Sequence, residues 1–167
     1  MGFSTDAIHA GQIPDPTTGA VITPIYQTST YAQYELGKST GFEYARTHNL
    51  TRQALEKNIA TLEKGKYGIA FASGLAATHA LISLVKAGDH IVISNNVYGG
   101  TYRLYELNMK NYGLDFSWVD SSDLKNVENA IRPNTKMIYV ETPTNPMLNL
   151  TDLKGISEIA MKNNLIS

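Results

Sequence analysis

Apolar residues fall along this chain in two different manners. From Thr51 onward they keep a regular rhythm: Leu55, Ile59 and Leu62 recur at helical spacing behind Thr51, a residue suited to N-capping. Residues 67–72 form a short apolar run that predicts a buried strand, and it leads directly into Ser73-Gly74. Residues 75–85 read as a nearly all-apolar helix, closed by Ala87-Gly88-Asp89. Strand 90–94, helix 100–111, strand 114–119, helix 122–131 and strand 137–141 then alternate. A last amphipathic helix covers 151–162, with Leu153, Ile156, Ile159 and Ala160 on one side. This alternation predicts an α/β fold, a mainly parallel sheet flanked by helices. Leu165-Ile166-Ser167 reads as the start of a further strand, so the sheet is expected to be truncated.

Residues 1–50 lack that rhythm. They are rich in Thr, Tyr, Gly and Pro, are punctuated by Pro14, Pro16 and Pro24, and offer at most a short extended piece at Thr28–Tyr31. A stretch of this length without elements of its own is uncommon inside a compact domain. It predicts an extended N-terminal arm over 1–50 that lies on a neighbouring subunit, ahead of a domain over 51–167.

Composition narrows the classes. The 167 residues are 43% hydrophobic, enough for one domain with a real core. Fifteen acids against fourteen bases, net −1, give no electrostatic reason to expect nucleic acid or an anionic membrane as partner. The absence of cysteine excludes a disulfide scaffold, thiol chemistry and a cysteine-based zinc site within these residues. The start has no signal-peptide pattern. The most apolar stretch, 69–85, is interrupted by Ser73, Thr78, His79 and Ser83 and is shorter than the ~20 residues of a spanning helix. A cytoplasmic protein is expected.

Several familiar motifs fail. Gly37-Lys38-Ser39-Thr40 resembles the end of a P-loop, but Ala32 stands where the first glycine belongs. No G-x-G-x-x-G is present. His9, His48, His79 and His90 have no metal-ligand spacing, so no metal is expected, and His79 reads as a hydrogen-bonded core residue.

Four segments carry more. At Ser73-Gly74-Leu75 a strand-to-helix turn offers backbone N–H groups to an anion, or is an ordinary capped turn; geometry alone favours neither. Tyr44-Ala45-Arg46 places a planar bidentate fork beside a phenol. Tyr98-Gly99-Gly100 follows a strand, where α/β sheets place ligand loops, and lets a ring cover a flat ligand. Glu141-Thr142-Pro143-Thr144-Asn145-Pro146 ends another strand at the same sheet edge. Each also has a plain structural explanation: ion pairing, a tight turn, a capped helix.

Taken in order, these segments, with Ile8-His9-Ala10-Gly11, Pro24–Tyr31 and Gly41-Phe42-Glu43-Tyr44, resemble the Cys/Met-metabolism family of pyridoxal-phosphate enzymes. That family includes cystathionine γ-synthase, the cystathionine β- and γ-lyases, methionine γ-lyase and the O-acyl-homoserine sulfhydrylases. The resemblance spans essentially the whole chain. It implies an aspartate-aminotransferase-type fold (fold type I of the pyridoxal-phosphate enzymes) and pyridoxal 5'-phosphate as cofactor. It also implies a homodimer or homotetramer acting on sulfur amino acids or homoserine esters by β/γ-elimination or γ-replacement. The form of the phosphate turn is similar to that of the cystathionine enzymes, and cystathionine γ-synthase or γ-lyase is the activity expected.

Residue by residue, the resemblance assigns Ser73, Gly74 and Leu75 to the cofactor phosphate. Tyr44 and Arg46 reach the same phosphate from the neighbouring subunit, and Arg46 also serves the substrate. Tyr98 stacks on the cofactor ring and takes part in proton transfer. Asn145 lies near the ring's phenolic oxygen and the substrate carboxylate, and Arg103 and Glu141 are further polar residues around the substrate. The lysine that holds the cofactor aldehyde and the acid that pairs with the pyridine nitrogen are not recognisable. None of the ten lysines, from Lys38 to Lys162, has the family's context. Ala45 and Leu50 also replace a serine and a proline usual in the family; Leu50 removes a φ constraint near Arg46. By itself the chain is expected to be inactive; the alternative is a non-catalytic fragment or assembly module that pairs with a full-length relative.

Overall fold

Helix α2 (Leu50–Leu62) starts at Asn49, whose side chain accepts the N–H groups of Thr51 and Arg52. Asn49, not Thr51, is therefore the N-cap. The Thr51 hydroxyl works outside the helix instead, accepting from the Tyr26 N–H and donating to the Pro24 carbonyl. These contacts belong to a computed structural model that describes residues 2–167 and divides into two compact units, one ending at Phe71 and one covering Ala72–Ser167.

In the first unit, helix α1 (Phe3–His9) is an element that residues 1–50 did not predict. The Asn58 amide of α2 donates to the carbonyls of Asp6, Ala7 and Ala10 at 3.0–3.2 Å, which ties the end of α1 to α2. Gly11, at φ +77°, passes so close that a Cβ there would sit 2.6 Å from the Ala54 carbonyl oxygen. Asp15 gathers the N–H groups of Thr17 and Thr18 and the hydroxyls of Thr18 and Tyr26. These bonds, the Thr18 N–H first, hold its carboxyl below its ordinary pKa. Thr30 and Tyr44 form an antiparallel bridge. The helical spacing of Leu55 and Ile59 is real, but both side chains are exposed in this unit.

Residues 67–72 correct an expectation: they are extended but join no ladder, and Tyr67, Ile69 and Phe71 are exposed. An apolar run signals burial somewhere; pairing needs a neighbour strand, which a run by itself does not specify.

In the second unit, strands β1 (His90–Ser94), β2 (Asp115–Val119) and β3 (Thr135–Tyr139) form a parallel sheet in the order β2-β1-β3. Ile166 adds a parallel bridge to Met137 on the outer side of β3. Every residue of the central strand β1 is buried, as expected for a strand covered on both faces. Alternation sorts its side chains: Ile91 and Ile93 pack with Tyr105, Leu114, Phe116 and Met137, while Val92 packs with Val127, Ile138, Ile156 and Ile159. The second cluster lies under α5 (Leu124–Ala130) and α6 (Leu153–Lys162). Leu153, expected on the buried side of α6, is exposed, because it sits in the first turn beside the Asp152 cap.

The helix expected over 75–85 is α-helical as α3 (Gly74–Ala80) and tightens to a 3₁₀ turn at Leu81–Leu84. That expected over 100–111 starts as α4 (Gly99–Tyr102), widens to a π turn at Arg103–Asn108 and closes as 3₁₀ at Met109–Tyr112. The wide turn carries Tyr105 into the core, where its hydroxyl donates to the Thr78 carbonyl. Burial pushes its phenol pKa upward, so it stays a neutral donor.

Candidate functional site

The loops that leave β1 and β3 and the start of α3 meet at one edge of the sheet, around an open cleft of about 540 Å³. Its lining is Ser73, Gly74, Leu75, Thr78, Tyr98, Thr101, Tyr139 and Glu141. This is the carboxyl end of the strands, where open α/β sheets place ligands.

Ser73 builds one wall. Its hydroxyl oxygen accepts from the Ala76 N–H, capping α3. The N–H groups of Gly74 and Leu75 have no acceptor among the described residues. A Cβ on Gly74 would meet nothing within 4 Å, so the turn opens onto free space. Two unpaired donors at a helix start suit an oxyanion. Thr78, one turn on, is buried; its hydroxyl donates to the Gly74 carbonyl and lies 3.3 Å from the Tyr139 hydroxyl.

The opposite wall is Tyr98. Its ring lies against Gly100 so closely that a Cβ there would sit 2.3 Å from Tyr98 Cε1. Glu141 Oε2 accepts the Tyr98 N–H at 2.9 Å, joining the loop after β1 to the loop after β3. A second cross-link lies behind it, where Asn96 donates to the Thr144 hydroxyl at 3.1 Å. Ser94, Ser121 and Thr151 continue as a buried hydroxyl chain, at 2.9 and 2.7 Å.

The structure thus brings Ser73, Gly74, Leu75, Tyr98 and Glu141 together. Asn145 is exposed on the turn after Thr144, and Arg103 is exposed at the start of the π turn; neither lines the cleft. Tyr44 and Arg46 belong to the first unit, where the Arg46 guanidinium lies 4.8 Å from the centroid of the Tyr44 ring. Thr78, Thr101 and Tyr139 line the cleft unpredicted. Spacing held the signal: Thr78 is four residues after Gly74 on a helix, and Tyr139 is two before Glu141 at a strand end. His79 is exposed on α3, contrary to expectation, because the buried position of that turn belongs to Thr78. Among the described residues no cluster of His, Asp or Glu could hold a metal, and no helix is long and apolar enough to cross a membrane.

The donor set fits a flat phosphorylated ring: two free backbone N–H groups for the phosphate, and an aromatic face on the far wall. A sequence model of one protein family, described as Cys/Met metabolism PLP-dependent enzyme, matches residues 4–167. A probable cystathionine gamma-synthase of Herpetosiphon aurantiacus is 51% identical over 98% of this chain and 51% of its own length. A cystathionine beta-lyase of Coxiella burnetii is 51% identical over 99% of this chain and 43% of its own. Among solved structures, cystathionine gamma-lyase from Lactobacillus plantarum complexed with L-serine superposes with a TM-score of 0.92 at 51% identity, over 99% of this chain and 43% of that one. The metB protein of Corynebacterium glutamicum gives a TM-score of 0.93 at 46% identity and the same coverage. The chain spans about half the length of the curated relatives it matches.

Proposed function

The chain belongs to the Cys/Met metabolism PLP-dependent enzyme family, and from that premise we propose that it forms the phosphate- and ring-binding half of a transsulfuration enzyme. The reaction is β/γ-elimination or γ-replacement on a sulfur amino acid or homoserine ester, with cystathionine γ-synthase or γ-lyase chemistry favoured. The observation that carries this reading is that the same cleft is lined both by Gly74 and Leu75, with their free N–H groups, and by Tyr98.

When bound, pyridoxal phosphate supplies the electron sink that permits loss of a substrate Cα proton. The chain's own residues do the holding and aligning. Gly74 and Leu75 donate to the phosphate through their N–H groups, and the Ser73 O–H adds a third donor. Tyr98 covers the ring and moves a proton at its hydroxyl. Glu141 fixes Tyr98 through Oε2, leaving Oε1 for a substrate ammonium. Asn145 and Arg103 bind polar groups of the substrate. Tyr44 and Arg46 complete the phosphate site of a neighbouring copy, with residues 1–50 as the arm that delivers them and 51–167 as the cofactor domain. No lysine lines the cleft. On this reading the lysine that binds the cofactor aldehyde and the acid for the pyridine nitrogen come from outside these 167 residues, which alone do not turn over substrate.

Binding of pyridoxal phosphate, compared with pyridoxal by equilibrium dialysis, tests the reading. The phosphorylated form is expected to bind at least tenfold more tightly, and Gly74→Asp, which sets a carboxylate at the phosphate donors, to abolish that preference. Equal binding of both forms would overturn the assignment. Incubation with cystathionine and cofactor should release no oxo acid or ammonia; release from the 167 residues alone would overturn the inactivity.

A further inference from the structure

The loop that carries Tyr44 and Arg46 is held from α2 by one side chain. The Tyr44 carbonyl accepts from the Thr47 and His48 N–H groups and the Thr47 hydroxyl, which curls residues 44–48 into a turn. That turn presents three successive carbonyls to the first turn of α2. Arg52 donates to all three: Nη1 to Ala45 at 3.4 Å and to Arg46 at 3.2 Å, and Nη2 to Thr47. Its Nε faces Glu56, one helical turn further on, with 3.4 Å between Nε and Oε1. Glu56 in turn accepts the Ala70 N–H at 3.0 Å. Both side chains are largely covered.

We propose that Arg52 is a positioning residue for the phosphate site: it fixes the 44–48 turn so that the Tyr44 hydroxyl and the Arg46 guanidinium leave it as a stacked pair. The proposal rests on the reading of Tyr44 and Arg46 as phosphate contacts. Three donors from one planar guanidinium define both the height and the tilt of the turn, which a single bond does not. Lysine carries the charge but not the fork, so it grips at most part of the three-carbonyl set. Glu56 balances the charge of the fork as an ion pair, so Arg52 adds no net charge beside residues 44–48. Residue 50 is Leu, so no proline ring fixes φ at the entrance to α2, which leaves more of the hold on the turn to Arg52.

The test is the preference for pyridoxal phosphate over pyridoxal, measured by equilibrium dialysis for the parent, Arg46→Ala, Arg52→Ala, Arg52→Lys and the Arg46→Ala/Arg52→Ala double variant. Arg46→Ala is expected to lower the preference at least tenfold. Arg52→Ala should lower it about fivefold or more with pyridoxal binding unchanged, and Arg52→Lys should restore it only in part. The double variant should lose less than the product of the two single losses, because once the guanidinium is gone the turn has only the Tyr44 hydroxyl left to place. Should alanine unfold the unit, the lysine variant carries the comparison, with amide exchange at residues 45–48 expected to accelerate. A preference unmoved by Arg46→Ala sinks the phosphate reading itself. If Arg46→Ala removes the preference while both Arg52 variants keep it, or if the two losses multiply in the double variant, the positioning role is wrong.

Discussion

Two residues in this chain make opposite bargains with their surroundings. Gly100 has no side chain so that Tyr98 can have a place: alanine there would put a carbon 2.3 Å from the ring. Gly100 lies in a helix, where alanine is favoured by up to about 1 kcal/mol. Gly100→Ala is therefore expected to leave the thermal midpoint unchanged or raised, while swinging the ring and weakening pyridoxal phosphate at least tenfold in a dialysis assay. His90 is buried at the far end of β1, with Nδ1 2.8 Å from the Thr135 hydroxyl and Nε2 3.0 Å from the Ser117 hydroxyl. Burial first, then the charge of Arg132, pushes its pKa below the ordinary histidine value of 6.5. The folded chain thus keeps His90 neutral where the unfolded chain protonates it. Stability is full above pH 6.5 and falls as the pH drops from there toward the folded pKa. Urea midpoints should decline between pH 7 and 5, and His90→Gln should flatten that slope. A slope that persists in the variant would assign the acid sensitivity elsewhere.

Among the elements, what was legible in the sequence was what packing makes locally visible. The strands expected at 90–94, 114–119 and 137–141 overlap β1, β2 and β3, the last beginning two residues earlier than expected because Thr135 and Lys136 carry no apolar mark, and the alternation with helices made a parallel sheet legible. Residues 67–72 carry the same local mark and pair with nothing, because a ladder is a relation between distant segments. The site was half legible for a similar reason. Tyr98 and the Ser73-Gly74 turn carry residue types that suit a ligand site or an ordinary turn alike and stood out only in order with the other segments, whereas Arg52 acts on main-chain carbonyls, which leave no trace in the residues gripped. Helix α2 offers its own test. Leu50 is its first residue, where a backbone N–H has no helical partner and proline is favoured. Asn49, at φ −142° and ψ 132°, already has the conformation that precedes proline. Leu50→Pro should change stability by less than about 1 kcal/mol, whereas proline at Ala54, inside the helix, should cost about 3 kcal/mol or more. Denaturant titration of both variants separates a true helix start from a displaced one.

Over the whole molecule, each buried apolar side chain among the described residues belongs to the second unit, from Ile91 onward. The first unit is fastened by hydrogen bonds, each with a net worth of about 1 kcal/mol. Amide exchange should accordingly show slow protons along β1 and faster opening through residues 2–71; equal protection in both would contradict this division. The bonds that α2 and its cap donate share one kind of acceptor. Asn49, Thr51, Arg52 and Asn58 of α2 or its cap donate to the carbonyls of Tyr26, Pro24, residues 45–47 and residues 6, 7 and 10. Every acceptor is main chain, and a carbonyl is the same whatever side chain it accompanies. In a scan of all substitutions, the gripped positions Ala7, Ala10 and Ala45 should accept many replacements and the gripping ones few. The sequence at these gripped positions can therefore drift while the course of the main chain holds, an asymmetry set by which partner in each bond contributes a side chain.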